Sequence, residues 1–151
     1  MSLISKLIGK EITKICGEVF FESIEFIGEN FKDIDILRFN IFFNDLNITF
    51  EVDSTGEGIV LSQDKPLKNV DMEEYGIIRI RDLTNFLNLK DFKSLKVTNI
   101  FYVMYKSITA GYAFVFDDEM FVILNWGDQL LCFNNLPDYI SNDGYTLSNI
   151  D

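Results

Sequence analysis

The sequence predicts an α+β protein built mainly from antiparallel β-sheet, sandwich-like or barrel-like, with one or two short helices. Two central stretches, residues 37–43 and 46–52, alternate apolar and polar side chains with the period of two that a half-buried strand requires. Residues 111–137 contain three apolar runs separated by two short polar breaks, which is typical of an antiparallel meander. Neither a repeat nor a linker-like stretch divides the chain, so we expect residues 1–151 to form one domain.

The first element is predicted to be a short helix. Between Ser2 and Ile8 the apolar residues fall on one helical face, with Ser2 as the N-cap and Gly9 at the end. Residues 10–28 then carry two competing patterns. Near-alternating phenylalanine and isoleucine favour a strand, whereas four glutamates at helical spacing favour a helix: Glu18, Glu22, Glu25 and Glu29. We predict the strand, since aromatic and β-branched side chains dominate the stretch.

The two alternating stretches predict a hairpin around Asn44-Asp45. The inward-facing residues are Leu37, Phe39, Ile41 and Phe43 on one strand and Leu46, Ile48, Phe50 and Val52 on the other. A turn at residues 53–58 leads to a short strand at 59–61, and a polar loop follows at 62–69. Further strands are predicted at 77–82 and 95–105, with a short helix or a turn at 83–92 between them.

The meander closes the fold. Its predicted strands are Tyr112–Phe116, Met120–Leu124 and Gln129–Phe133, joined by an acidic turn at Asp117-Asp118-Glu119 and a second turn at residues 125–128. The residues expected to anchor the core are Phe39, Ile48, Phe50, Phe114, Phe116, Ile123 and Leu131. The polar tail, residues 138–151, is expected to fray.

Composition argues against catalysis and against metal chemistry. The chain has no histidine, which removes the commonest general base and the commonest transition-metal ligand. Cys16 and Cys132 lack metal-ligand spacing, and three consecutive acids at Asp117–Glu119 diverge too far to share one cation. We therefore expect no enzyme activity, no cofactor and no bound metal.

Charge is distributed unevenly along the chain. The net charge is −11, and residues 107–151 contain no base. The acids of that stretch are Asp117, Asp118, Glu119, Asp128, Asp138, Asp143 and Asp151. Such a field repels nucleic acids and anionic membranes and attracts basic partners. The alternative interpretation is that acidity only keeps an apolar chain in solution.

The start of the chain lacks the apolar core of a signal peptide, and no apolar run approaches the ~20 residues that cross a bilayer. We therefore expect a cytoplasmic protein.

The expected partner-binding residues combine the only tryptophan with the acidic turns. They are Trp126, Asp128, Asp117, Asp118 and Glu119, joined by Glu73 and Glu74. Successive turns of a meander lie at opposite ends of its strands, so Trp126 with Asp128 is the favoured part of this set. Two positions of the Trp126 ring remain open: on the surface as an anchor, or folded back over the core.

Three strings carry a family resemblance: LIGKEITKI near the start, DMEEYG at Asp71–Gly76, and GYAFVFDDEMFVILNWGDQLLCFNNLP at Gly111–Pro137. With them the chain resembles bacterial immunity proteins of contact-dependent growth inhibition and polymorphic toxin systems. The resemblance implies an antitoxin role, in which the chain binds and neutralises a cognate toxin domain, with a basic nuclease as the expected kind of toxin. It transfers no residue by position. The alternative is a ligand-binding, β-barrel-like protein with an aromatic-lined interior.

Overall fold

The computed structural model describes residues 2–22, 35–84, 96–117 and 119–150 as two antiparallel β-sheets. The strands are β1 (Ile12–Phe21), β2 (Asp35–Phe43), β3 (Asn47–Val52), β4 (Ile59–Gln63), β5 (Val70–Asp71), β6 (Ile77–Asp82), β7 (Asn99–Tyr105), β8 (Ile108–Phe116), β9 (Glu119–Trp126), β10 (Gln129–Phe133) and β11 (Tyr145–Asn149). A short helix, α1, spans Asp138–Ser141, and 3₁₀ turns span Ile4–Leu7 and Glu73–Tyr75.

Sheet A has the strand order β4-β3-β2-β1-β6-β5 and sheet B the order β10-β9-β8-β7-β11. One of the two sheets curls into a half-barrel, and the two sheets pack against each other. Side chains of both sheets share one core cluster, in which Phe50 meets Phe114 edge-on with ring centroids 6.0 Å apart. The predicted α+β, mainly antiparallel class is confirmed.

The central hairpin follows the predicted alternation with one exception. Phe39 pairs with Phe50 and Ile41 with Ile48, and all four are fully buried. Leu37 was expected to face the core, but it is 38% exposed. The register of β1 on β2 shifts at this point, so that Leu37 bulges outward and Ile36 takes the inward place.

Of the seven predicted core anchors, six are buried and Leu131 is not. Leu130 faces the core instead, because the turn before β10 pairs Gln129 with Trp126 and thereby fixes the phase of the strand. Two adjacent leucines fit either face equally well, so the sequence pattern did not distinguish them.

The N-terminal half largely follows prediction. The helix expected at Ser2–Ile8 is a 3₁₀ turn at Ile4–Leu7, and Gly9 ends it with φ +88°. Strand β1 confirms the strand interpretation for the part of 10–28 that the structure describes. Glu25, Glu29 and most of the segment 83–92 lie outside the described residues. Strand β7 begins at Asn99, four residues later than predicted, after an isolated bridge from Lys96 to Glu11.

The expectation of a frayed tail was wrong for residues 138–149. They form α1 and then β11, which pairs with β7 over five residues from Tyr145↔Tyr105 to Asn149↔Phe101. Ile140 is fully buried against the outer face of sheet B, in a second apolar cluster with Val103 and Leu124. This burial supplies the stabilisation that a polar composition alone does not reveal.

Candidate functional site

Trp126 is the last residue of β9 and leads into a two-residue turn. Gly127 and Asp128 have φ values of +63° and +65°, so both adopt the left-handed conformation of a type I′ hairpin. Glycine adopts it without strain, and aspartate tolerates it better than most side chains. The turn therefore places the exposed Asp128 carboxylate at the tip of the hairpin.

A turn of sheet A lies directly against this hairpin. The buried Asn125 donates from Nδ2 to the carbonyl oxygens of Gly56 at 3.0 Å and Gly58 at 2.8 Å. The turn itself is built on Asp53, whose Oδ1 accepts bonds from the hydroxyl and backbone N–H of Thr55. The hydroxyl bond is the main reason that the pKa of Asp53 lies below its usual value. The β3–β4 and β9–β10 turns thus form one end of the molecule.

The chain after β10 crosses the outer face of sheet B and brings new residues to Trp126. The Tyr139 ring packs on Trp126 with centroids 5.3 Å apart and an interplanar angle of 57°. Phe133 meets Tyr139 edge-on at 6.5 Å. The Trp126 indole N–H donates to Asp143 Oδ2 at 3.4 Å. Trp126 is half-buried beneath this layer, whereas Tyr139 remains 53% exposed.

These residues define a candidate site that we call the Trp126 surface: Trp126, Asp128, Phe133, Asp138, Tyr139 and Asp143. Its three aspartates are exposed, and none forms an ion pair with any residue that the structure describes. The structure agrees in part with both predicted placements of the Trp126 ring, on the surface and folded back over the core. The ring packs back on the second apolar cluster, and it also supports the exposed Tyr139.

The seven predicted partner-binding residues do not form one patch. Trp126 and Asp128 lie on the Trp126 surface, but Asp117 and Glu119 lie at the opposite end of β9, which spans about 24 Å. Asp118 lies outside the described residues. As predicted for a meander, the two turns lie at opposite ends of its strands, because antiparallel strands reverse direction at each turn.

Glu73 and Glu74 occupy a third location. Both are exposed in the 3₁₀ turn before β6, beside the β5 edge of sheet A. The β3–β4 turn that meets the Trp126 hairpin belongs to the other side of the same sheet, with β2 and β1 between them. The two glutamates are therefore not part of the Trp126 surface.

The glutamate series considered for β1 is not a continuous surface either. Glu18 is only 5% exposed. One of its oxygens accepts the backbone N–H of Lys68 at 2.9 Å and lies 3.4 Å from Arg38 Nη1. Glu22 is exposed at the end of the described stretch. The position of Glu18 in a strand buries a carboxylate that a helix would have exposed.

The outer face of sheet A carries a polar network around Glu18. Arg38 bridges Glu18 and Glu51, with Nε 2.8 Å from Glu51 Oε2, and Lys65 reaches Glu51 Oε1 at 2.5 Å. Burial alone would raise the pKa of Glu51, but the Lys65 hydrogen bond and the Arg38 charge outweigh it and hold that pKa below its usual range. Both network carboxylates are matched by bases, so the network is suited to holding the fold.

Neither cysteine is disposed to act as a nucleophile. Burial raises the pKa of Cys16 and raises that of Cys132 more strongly, so both thiols stay protonated at neutral pH. Within the described ranges, no three His, Cys, Asp or Glu side chains come together in a way that could hold a metal ion. No helix in the same ranges is long and apolar enough to cross a membrane.

Sequence reasoning missed Asp138, Tyr139 and Asp143, which were assigned to a fraying tail. A usable signal was present: Pro137 followed by Asp138 is a common start of a helix, and Ile140 gives that turn one apolar residue to bury. This signal is weak, because four helical residues carry almost no periodicity.

The chain was compared with family models, curated proteins and solved structures, and it matches none of them.

Proposed function

We propose that this chain is an immunity protein that binds a cognate toxin domain through the Trp126 surface and neutralises it. The toxin is a basic protein, a nuclease in the leading case, and the complex forms in the cytoplasm without a cofactor. The support comes from the placement of charge and aromatic side chains, together with the resemblance described above.

The main observation in support of this function is that the ion pairs of the described residues all lie in sheet A and its turns. They join Lys10 to Asp45, Arg38 to Glu18 and Glu51, and Lys65 to Glu51. The exposed acids of sheet B and α1 have no such partner among the described residues: Asp117, Glu119, Asp128, Asp138 and Asp143. Exposed acids without an ion pair among the described residues also occur in the turns of sheet A, for example Glu57, Glu73 and Glu74. Residues 107–151, however, contain no base at all, so the carboxylates of that stretch produce a field that attracts a basic surface.

The Trp126 surface adds the apolar part that an interface needs. Tryptophan and tyrosine are enriched among the residues that dominate binding energy, because their rings bury large area while losing little conformational freedom. On a nuclease, the complementary surface is the basic groove that holds phosphates. Carboxylates can occupy the phosphate positions there and accept charge-assisted hydrogen bonds from Lys and Arg.

The interior is filled by its own aromatic side chains, which favours binding at the surface. Phe39, Phe50, Phe114, Phe116 and Phe121 are all almost completely buried. Phe50 contacts the rings of both Tyr112 and Phe114 at about 6 Å. These contacts assign the phenylalanines to the core and give less weight to the alternative of an interior ligand site.

Association kinetics test the proposal with a pair of variants of equal charge. Asp128→Lys should slow association with the toxin domain encoded beside the gene about tenfold at low salt, because it reverses a charge at the contact. Asp117→Lys changes the net charge equally at the far end of β9 and should slow association much less. Surface plasmon resonance over a range of salt concentrations measures both. Equal effects of the two variants would place the contact elsewhere.

Dissociation tests the aromatic part separately. Trp126→Ala should raise the dissociation rate about 30-fold, corresponding to roughly 2 kcal/mol, since it removes both the ring and the support of Tyr139. Phe101, half-buried on the same outer face, provides a control of similar chemistry in Phe101→Ala. A Trp126→Ala protein that folds, as judged by circular dichroism, and dissociates at the wild-type rate would contradict the proposal.

A further inference from the structure

We infer that the Trp126 surface receives an arginine side chain of the partner, with the guanidinium stacked on the Tyr139 ring and hydrogen-bonded to Asp143. This inference rests on the proposed function and specifies the chemistry of the partner at this surface. It follows from three features: the open ring of Tyr139, the orientation of the Asp143 carboxylate, and the arrangement of the protein's own cations.

The Tyr139 ring is only partly covered by its neighbours. Trp126 and Phe133 both pack against it, yet 53% of the residue remains exposed. The ring is therefore supported by two neighbouring rings while the residue stays accessible to solvent. The face of an aromatic ring carries negative potential, which attracts a cation placed within about 6 Å of its centroid.

The Asp143 carboxylate contacts the Trp126 indole, on which the Tyr139 ring packs. Asp143 follows Tyr139 by four residues around the helical turn of α1, and its Oδ2 accepts the indole N–H of Trp126. Its other oxygen, Oδ1, accepts no hydrogen bond from the described residues. One oxygen thus fixes the orientation of the group while the other is free to accept a donor from outside.

The protein's own cations leave this ring unoccupied. Lys106 lies over Tyr105 at 5.2 Å and Lys14 lies over Phe42 at 5.9 Å, so these cations are placed on other rings. Tyr139 has none among the residues that the structure describes, although it is the aromatic residue surrounded by exposed aspartates. A cation supplied by the partner would complete the arrangement.

Arginine fits this geometry better than lysine. A guanidinium is planar, so its face can stack on Tyr139 while the N–H groups along its edge reach Asp143. An ammonium is a compact and strongly hydrated charge that cannot make both contacts in one plane. The arrangement therefore predicts discrimination between two residues of equal charge, which a general acidic field does not provide.

Two short peptides provide the probes, one with two arginines spaced by glycine and one with two lysines in the same positions. The chain has a single tryptophan, so the indole N–H resonance and the fluorescence both report on Trp126 alone. We expect the arginine peptide to shift the indole resonance and to bind at least fivefold more tightly than the lysine peptide at equal salt. Equal affinities, or no shift at millimolar arginine peptide, would overturn the inference.

Variants of Tyr139 and Asp143 test the two proposed contacts with arginine separately. Tyr139→Ala should reduce the affinity for arginine peptide to that for lysine peptide, while Tyr139→Phe should keep the preference because the ring remains. Asp143→Asn should weaken arginine binding about tenfold, and Asp117→Asn, at the far end of β9, should not. If Tyr139→Ala still binds the arginine peptide more tightly than the lysine peptide, the guanidinium does not stack on Tyr139. If Asp117→Asn weakens arginine binding as much as Asp143→Asn does, the loss reflects net charge and not a contact with Asp143.

The toxin domain separates failure of this inference from failure of the proposed function. If Asp128→Lys weakens toxin binding but Tyr139→Ala does not, the Trp126 surface binds its partner and the arginine contact is wrong. If both variants bind the toxin as the wild type does, the proposed function fails at this surface as well. The expected result is that both variants weaken binding.

Discussion

Both sheets carry a connection across their outer face, and opposite chemistry holds the two in place. Residues 64–69, which we call crossing segment A, lie over a polar network on sheet A. Thr49 donates to the Lys65 carbonyl at 2.9 Å, and Glu18 accepts the Lys68 N–H. Residues 134–144, crossing segment B, pack through apolar side chains, with Ile140 fully buried.

Charged side chains attach crossing segment A to the outer face of sheet A. Glu18 and Glu51 are each bound by Arg38, and Glu51 also by Lys65. Crossing segment B is held mainly by burial, and Asp138 and Asp143 remain exposed, although Asp143 also accepts the Trp126 indole N–H. Glu18 and Glu51 therefore serve the fold, whereas Asp138 and Asp143 have no ion pair among the described residues.

The largest effect on stability is expected for substitution of Ile140, which tests whether burial holds crossing segment B in place. Ile140→Ala should lower the free energy of unfolding by about 3 kcal/mol, because it leaves a cavity between α1 and sheet B. Trp126 fluorescence should change as well, since α1 also places Tyr139 on the indole. Urea denaturation measures the first and emission spectra the second.

Ile80→Ala is the matched control for that substitution. It makes the same chemical change on sheet A, at a side chain that is 38% exposed, and should cost well under 1 kcal/mol. Similar losses in the two variants would mean that α1 is not fixed by burial.

An intermediate effect is expected at Arg38. Arg38→Met should cost about 2 kcal/mol, since it leaves the buried Glu18 carboxylate without its counter-charge. Adding Glu18→Gln should recover much of the loss, because a neutral amide is cheaper to bury. Lys14→Met, an exposed base on the same strand as Glu18, should stay near wild type. If the double variant Arg38→Met/Glu18→Gln is less stable than Arg38→Met alone, the unpaired charge of Glu18 is not the cause of the loss.

The smallest effect expected is a change in pH dependence at Glu51. The pKa of this carboxyl is lower in the folded protein than its usual value near 4.5, so it stabilises the fold above that pH. The contribution is lost as pH falls through the lower folded value. Glu51→Gln should therefore flatten the fall in unfolding free energy below about pH 5, measured by urea titration at several pH values. Part of the slope should remain, because the pKa of Asp53 is also lowered, chiefly by Thr55. A profile as steep as that of the wild type would exclude Glu51 as a contributor.

The sequence by itself predicted most of the β-strands and the hairpins that join them, but not β5 or β11. Period-two patterning and turn residues act between near neighbours, so the β2–β3 hairpin and the meander could be predicted from residues 37–52 and 111–137 alone. The uneven charge of the last third is likewise a property of the sequence. Together with the single tryptophan, it predicted Trp126 and Asp128 as partner-binding residues.

Only the tertiary structure decided which acids are free and what covers Trp126. Asn125 contacts Gly56 across 69 positions of sequence, and Lys68 reaches Glu18 across 50. Such contacts depend on how the sheets stack, which no local pattern encodes. Tyr139 reaches Trp126 because one buried isoleucine folds a polar tail back onto sheet B. The free energy that places it comes from burial on a surface formed by distant strands, and this surface exists only in the folded protein.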